Sequence, residues 1–199
     1  MTQLHEIDSI PEKFRVNAEK ICHNRDSAGR VASGNDSTVY RLDGYVYKIY
    51  SGERLKELTQ KEILRLIRHY REITNRAAEL SDSENWQIKV PYQDKFYPLR
   101  VNPTHVVIEC TICQTTIGVA PEIEGKTLDQ ETLLFDPNEL KIALSNTSDW
   151  ISNRLGIQRL ELTGNNIKVL EDETMGKYFM VTDLASEVSF VALSTWREK

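Results

Sequence analysis

Cysteine is scarce: three in 199 residues, an odd number and too few for a disulfide framework. That usage fits a reducing compartment, so the expected setting is cytoplasmic and disulfides are not expected. Long hydrophobic runs are missing too. The longest, such as 190–193 (FVAL), span four or five residues, against the ~20 that a membrane-crossing helix needs. The opening MTQLHEIDSIPEKF has no basic-then-apolar leader pattern, and no membrane partner is expected. Positive charge is in deficit, since 25 Lys and Arg stand against 30 Asp and Glu for a net charge of −5. The aromatic residues are scattered instead of being interleaved with a basic stripe. Together these exclude nucleic acid as the main partner, because such affinity comes from clustered cations neutralising phosphates. Glycine (9) and proline (6) are too few and too irregular for a collagen-like or low-complexity chain, and no internal repeat is visible. Neither H-E-x-x-H, G-x-S-x-G nor a P-loop lysine motif occurs, which removes zincin, α/β-hydrolase and Walker-type readings.

What is present is an ordinary globular composition, 40% hydrophobic and 28% charged. A chain this long buries about 70% of its unfolded surface, enough for a core without staples. Residues 11–24 read as a helix, with Pro11 in the first turn and Phe14, Ala18, Ile21 and Cys22 at helical spacing. From Gly29 to Tyr50 the period changes to that of two strands joined at Asp43-Gly44, a dipeptide suited to a tight hairpin turn. The first strand is interrupted by the small-residue segment SGNDS. Helical spacing returns over 53–79, with Leu55, Leu58, Ile63, Leu66, Ile67, Tyr70, Ile73 and Ala77 on a broad apolar face. Glu62 falls on or beside that face, where a carboxylate either borders solvent or takes a cationic partner; Glu57 is the fallback for the second role. Strands follow in 86–120, then a helix over 137–155, then strands at 167–170 and 178–182 around a charged turn.

The order of these parts resembles the protein kinase-like superfamily, in particular its compact bacterial and aminoglycoside-phosphotransferase-like branches, from about Gly29 to Ala185. VASGNDSTVY (31–40) is similar to that family's phosphate-covering loop, with Gly34 and Val39 kept and Ala32 and Ser37 in place of the outer glycines. Small residues there let backbone N–H groups approach phosphate oxygens. Lys48 in VYKIY resembles the strand lysine that pairs phosphates with a helix glutamate, and Glu62 follows fourteen residues on. GVAPEIEGKTL (118–128) resembles the connector between lobes, which implies that Pro121 offers only a carbonyl to adenine and Ile123 an N–H. GIQRLELTGNNIKV (156–169) resembles the catalytic loop, with Asn166 on the metal-binding Asn, Glu161 on the catalytic aspartate and Arg159 in place of its histidine. YFMVTDLA (178–185) resembles the strand ending in the metal-chelating Asp, here Asp183.

The resemblance implies an α+β, kinase-like two-lobe fold: an N-terminal helical extension (1–28), a sheet-rich N-lobe (29–120) and a C-lobe (121–199) that is truncated, since sixteen residues follow Asp183. It implies ATP bound by Ser33, Gly34, Asn35, Ser37, Val39, Lys48, Pro121 and Ile123, and Mg²⁺ held by Asn166 and Asp183. Glu62 fixes Lys48, and Glu161 orients an acceptor, expected to be a protein hydroxyl. The small kinases that pathogens inject into host cells are one form this takes, and a translocated effector is a second expected setting. Glu161 and Arg159, by contrast, fit a pseudokinase that binds a partner protein, with or without nucleotide. A kinase-fold nucleotidyl transferase is a third reading. The C-x-x-C of Cys110 and Cys113, near His105, is read against zinc: a structural site needs four ligands, Cys22 and His23 are not visibly placed to complete one, and residues three apart on a strand face opposite ways.

Overall fold

Phe14, Ala18 and Ile21 recur at helical spacing and are buried on one side of α1 (Glu12–His23), as the periodicity predicts. The structure is a computed structural model and describes residues 10–24, 29–33, 37–51, 55–90, 95–110, 113–131, 136–157, 160 and 162–184. It is an α+β chain whose contacts divide it into two compact units, 1–67 with 105–120 and 68–104 with 121–199.

In the first unit β1 (Gly29–Ser33), β2 (Ser37–Leu42), β3 (Tyr45–Tyr50), β6 (Val106–Cys110) and β7 (Thr115–Pro121) form one sheet in the order β1-β2-β3-β7-β6. Asp43 and Gly44 both take positive φ, 52° and 74°, which gives the β2–β3 hairpin the turn its sequence predicts. Strand alternation sends Tyr40, Tyr47 and Ile49 to the buried face, where they pack with Phe14 and Ile21 of α1 and with Ile108 and Ile117. One polar residue takes part in this contact. Asn17 Nδ2 donates to the Tyr47 hydroxyl at 3.1 Å and to Asp43 Oδ2 at 2.9 Å. Burial pushes the Tyr47 phenol up from its ordinary pKa, and the Asn17 bond works the other way.

Contrary to the expectation from the scarcity of cysteine, the chain holds a disulfide. Cys22, at the end of α1, is joined by a disulfide to Cys113, 91 residues on, with Cα atoms 6.0 Å apart. Because α1 packs on β6, its C-terminal end reaches the β6–β7 turn, a contact that composition cannot disclose. Nor do Cys110 and Cys113 lie three apart on one strand: the first ends β6 and the second stands in the turn.

In the second unit β4 (Gln87–Val90), β5 (Lys95–Val101), β8 (Lys126–Thr127), β9 (Ile167–Asp172) and β10 (Gly176–Val181) form a sheet in the order β4-β5-β10-β9-β8. β10 is antiparallel to β9 but parallel to β5, with Leu99 opposite Phe179. That pairing ties 68–104 to 121–199. Trp86, Ile88, Leu99, Ile151, Ile167 and Phe179 are fully buried in this unit's core, and Tyr97 stacks on Phe179 at 4.9 Å.

Two helices show how local chemistry sets boundaries. α3 (Pro137–Leu155) matches the expected span: the Asp136 side chain accepts from Asn138 N–H and Glu139 N–H, Pro137 opens the first turn, and Gly156 ends it at φ 69°. α2 (Gln60–Ser83) begins seven residues later than the expected 53–79 and ends four later. Leu55 and Leu58 belong to a short turn before it, since Thr59 and Glu62 cap the helix between them and prevent an earlier start.

Candidate functional site

Ala32, Val39 and Lys48 sit directly opposite one another on β1, β2 and β3, which puts them in one row on one face of the first unit's sheet. This is the face away from Tyr47 and Ile49, and here Val39, Lys48 and Tyr50 are half-buried. Gly118 on β7 belongs to the same surface: a Cβ there would meet the Tyr50 ring at 3.3 Å, so glycine leaves room for the tyrosine. Ala32, Val39, Tyr50 and Gly118 thus surround Lys48 with apolar groups on this face. Ser37 opens β2 opposite Tyr50, and Ser33 closes β1. Gly34 and Asn35, expected to cover phosphates, lie outside the described residues.

Glu62 is in the first turn of α2 and half-buried. Its Oε2 accepts from the Thr59 N–H and the Thr59 hydroxyl, both at 2.8 Å, while the Glu62 N–H donates to Thr59 Oγ1 at 3.3 Å. This is a capping box, written in the sequence as T-x-x-E and not read there. Glu57, the fallback, is exposed in the turn before the helix.

In the second unit the β9–β10 hairpin carries the other candidates. Asn166 ends a 3-10 turn, Gly164–Asn166, just before β9; Asp183 follows β10 with Thr182 between. The ladder continues past its last rung: Thr182 N–H donates to the Asn166 carbonyl at 2.8 Å, and the Thr182 hydroxyl donates to the same oxygen at 3.1 Å. Asn166 and Asp183 are thereby brought to one end of the hairpin. Asp183 Oδ1 accepts from the Tyr70 hydroxyl of α2 at 2.6 Å. Tyr70 falls at an apolar position of the helical spacing, and nothing in the sequence marks its hydroxyl as a partner of Asp183. An amide oxygen and a carboxylate are hard donors of the kind Mg²⁺ takes, so this pair fits that ion chemically.

The loop before Asn166 is pinned from below. Leu160 and Leu162 are buried, and Leu162 N–H donates to Ser148 Oγ on α3 at 2.9 Å. Glu161 and Arg159 lie outside the described residues. At Gly164 a Cβ would overlap the Asp129 carboxylate. Both residues border a cavity of about 640 Å³, with Leu140, Leu144 and Leu162 on its floor. Pro121 ends β7, and its carbonyl accepts from Asn102 Nδ2 at 2.9 Å, a partner 19 residues away that the sequence did not suggest. Ile123 is half-buried in the irregular segment after it.

No helix among the described residues is long and apolar enough to cross a membrane. Comparison with known proteins finds no matching family model and no matching curated protein. Solved structures do resemble the chain. The Mycobacterium tuberculosis PknI kinase domain, as a double mutant, overlays 84% of this chain and 64% of its own with a TM-score of 0.42 and 15% identity. Wild-type aminoglycoside 2'-phosphotransferase-IIIa, in its GDP complex, overlays 73% of this chain and 46% of its own with a TM-score of 0.36 and 10% identity. The chain thus spans less than two thirds of either one.

Proposed function

We propose that this protein is a kinase-like phosphotransferase that uses ATP with Mg²⁺ and acts on a protein hydroxyl. The observation that carries the reading is the convergence of Asn166 and Asp183 at one end of the β9–β10 hairpin, through the Thr182–Asn166 bonds. The row of Ala32, Val39 and Lys48 supports it, because it provides an apolar seat for a base and one ammonium for phosphate oxygens. Bound to Asn166 and Asp183, Mg²⁺ would neutralise charge on the β- and γ-phosphates. Tyr70 orients the Asp183 carboxylate by its hydroxyl. Glu62 serves two purposes in this reading. Its Oε2 caps α2 through Thr59, and restraining Lys48 is the second role proposed for the same carboxylate. Pro121 and Ile123 are the proposed adenine contacts; the Pro121 carbonyl, which already accepts from Asn102, has a second lone pair for this. Ser33, Gly34, Asn35 and Ser37 are the proposed phosphate cover, and Glu161 the group that orients the acceptor. The cavity beside Gly164, where Asp129, Glu131 and Asp149 outnumber Lys141, is the proposed place for an acceptor segment.

A second reading, a nucleotide-binding scaffold without transfer, is favoured by the Tyr70 hydroxyl on Asp183 Oδ1, since that bond already engages an oxygen the metal needs. Transfer of label from γ-labelled ATP separates the two. With the purified chain, alone and with cell lysate, label incorporation is expected in the wild type and its loss in Lys48→Ala and Asp183→Ala. Equal background in all three, with a Mg²⁺-dependent thermal shift by ATP retained in the wild type, establishes the scaffold instead.

A further inference from the structure

The three cysteines, spread over 92 positions of sequence, meet at one place. Cys22 is in the last turn of α1, Cys110 ends β6, and Cys113 stands in the turn that follows; their sulfurs lie within 4.8 Å of one another. Cys110 is buried and the other two are half-buried. A disulfide between Cys22 and Cys113 uses two of these sulfurs and leaves Cys110 as a third thiol beside it, with no bonding role. A metal ion uses all three. C-x-x-C is a ligand spacing found in thiolate metal sites, and here a turn, in place of a continuous strand, brings its two sulfurs together. Partial burial lowers the competition from water, and three soft sulfur donors select against Mg²⁺ and Ca²⁺ in favour of Zn²⁺.

We propose that Cys22, Cys110 and Cys113, when all three are reduced, form a thiolate site for one Zn²⁺, with the fourth position taken by water or an exogenous ligand. The Cys22–Cys113 disulfide is the oxidised, metal-free state of the same site. Each thiol loses its proton on binding, so three protons leave for one Zn²⁺ gained. Conversion from the disulfide takes two electrons and two protons from a dithiol reductant, which becomes a disulfide in turn. Loaded, the ion ties the end of α1 to the β6–β7 turn. Neither Lys48 nor the Asn166–Asp183 pair enters this argument, and it stands whether or not the chain transfers phosphate.

The test uses the full chain, reduced with dithiothreitol, desalted without oxygen and titrated with Co²⁺, a coloured stand-in for Zn²⁺. Expected are one Co²⁺ per chain, the sulfur-to-cobalt charge-transfer band and visible bands of a tetrahedral thiolate site, and their loss when Zn²⁺ displaces Co²⁺. The air-oxidised chain is expected to bind none until it is reduced. Cys110→Ser is the informative variant, because it leaves the disulfide pair intact and removes one ligand; it is expected to lose Zn²⁺ on desalting, where the wild type keeps it. Should that variant fail to fold, Cys22→Ser at the helix end gives the same readout. Reduced wild type that retains its far-ultraviolet circular dichroism yet takes up no Co²⁺ overturns the proposal. So does Co²⁺ bound without the charge-transfer band, or Cys110→Ser binding as tightly as wild type.

Discussion

At Gly164 even a methyl group has no room. The Asp129 carboxylate lies where a Cβ would be, and Asn166 ends the same turn two residues later. Gly164→Ala is therefore expected to displace Asp129 or the turn and to destabilise the chain by about 1–3 kcal/mol, the usual range for overpacking. Urea denaturation would measure it. An unchanged midpoint would mean that the Asp129 side chain swings away freely. If Asn166 does hold metal, the same variant should also lose part of the Mg²⁺-dependent thermal shift by ATP. Residues of this sort divide by how their evidence is written. The placement of Asn166 and Asp183 along one hairpin follows from short patterns within the sequence. The Tyr70 contact does not, since a tyrosine at helical spacing reads as an apolar position, and only the fold shows that its hydroxyl meets a group 113 residues away. The Asn102 bond to Pro121 was hidden in the same way.

Among the elements, α2 separates local signals from tertiary ones most clearly. Apolar spacing carried the expected helix back to residue 53 because Leu55 and Leu58 fit the face, while the T-x-x-E cap at 59–62 marked the true start. Periodicity reports burial, whereas a cap reports where the backbone N–H groups run out of partners, and the second sets the boundary. The box also allows the two roles of Glu62 to be parted. Glu62→Gln keeps an oxygen for Thr59 and should cost a few tenths of a kcal/mol, whereas Glu62→Ala should cost about 1 kcal/mol in thermal or urea melts. A Gln variant that melts like wild type yet binds ATP more weakly would put the charge of Glu62 to work on Lys48. Equal binding would leave it a cap alone. The bounds of α3 follow from Asp136, Pro137 and Gly156, all signals within the sequence itself.

For the molecule as a whole, Glu84 contributes to the acid limb of stability. Glu84, just past α2, accepts from the Arg154 guanidinium of α3 and from the Trp86 indole N–H at 3.0 Å. The Arg154 hydrogen bond first, and then the Trp86 bond, lower the Glu84 carboxyl from 4.5 to about 2. The unfolded chain therefore takes up this proton before the folded one does. The contribution is complete above pH 4.5 and drains away as the pH falls toward about 2. Glu84→Gln should lower the urea midpoint at pH 6 and change it much less at pH 2.5, and a parallel loss at both would assign the effect to packing. Added salt should shrink the difference, since part of the pair faces solvent. The α+β class and most elements were readable from periodicity and turn chemistry. The parallel pairing of β5 with β10 was not, because no local pattern reports a contact between strands so far apart in sequence.

That parallel pair also bears on how the chain comes into being. β5 ends at Val101 and its partner begins at Gly176, about 75 residues later. With synthesis at ~5–20 residues per second, β5 waits about 4–15 s with one edge unclaimed. Its inward residues Tyr97, Leu99 and Val101, all buried in the finished sheet, are bare in that interval, and an open apolar edge is a template for pairing with the wrong chain. The strand that delivers Asp183 to the end of its hairpin is thus also the one whose late arrival closes the nascent protein against aggregation.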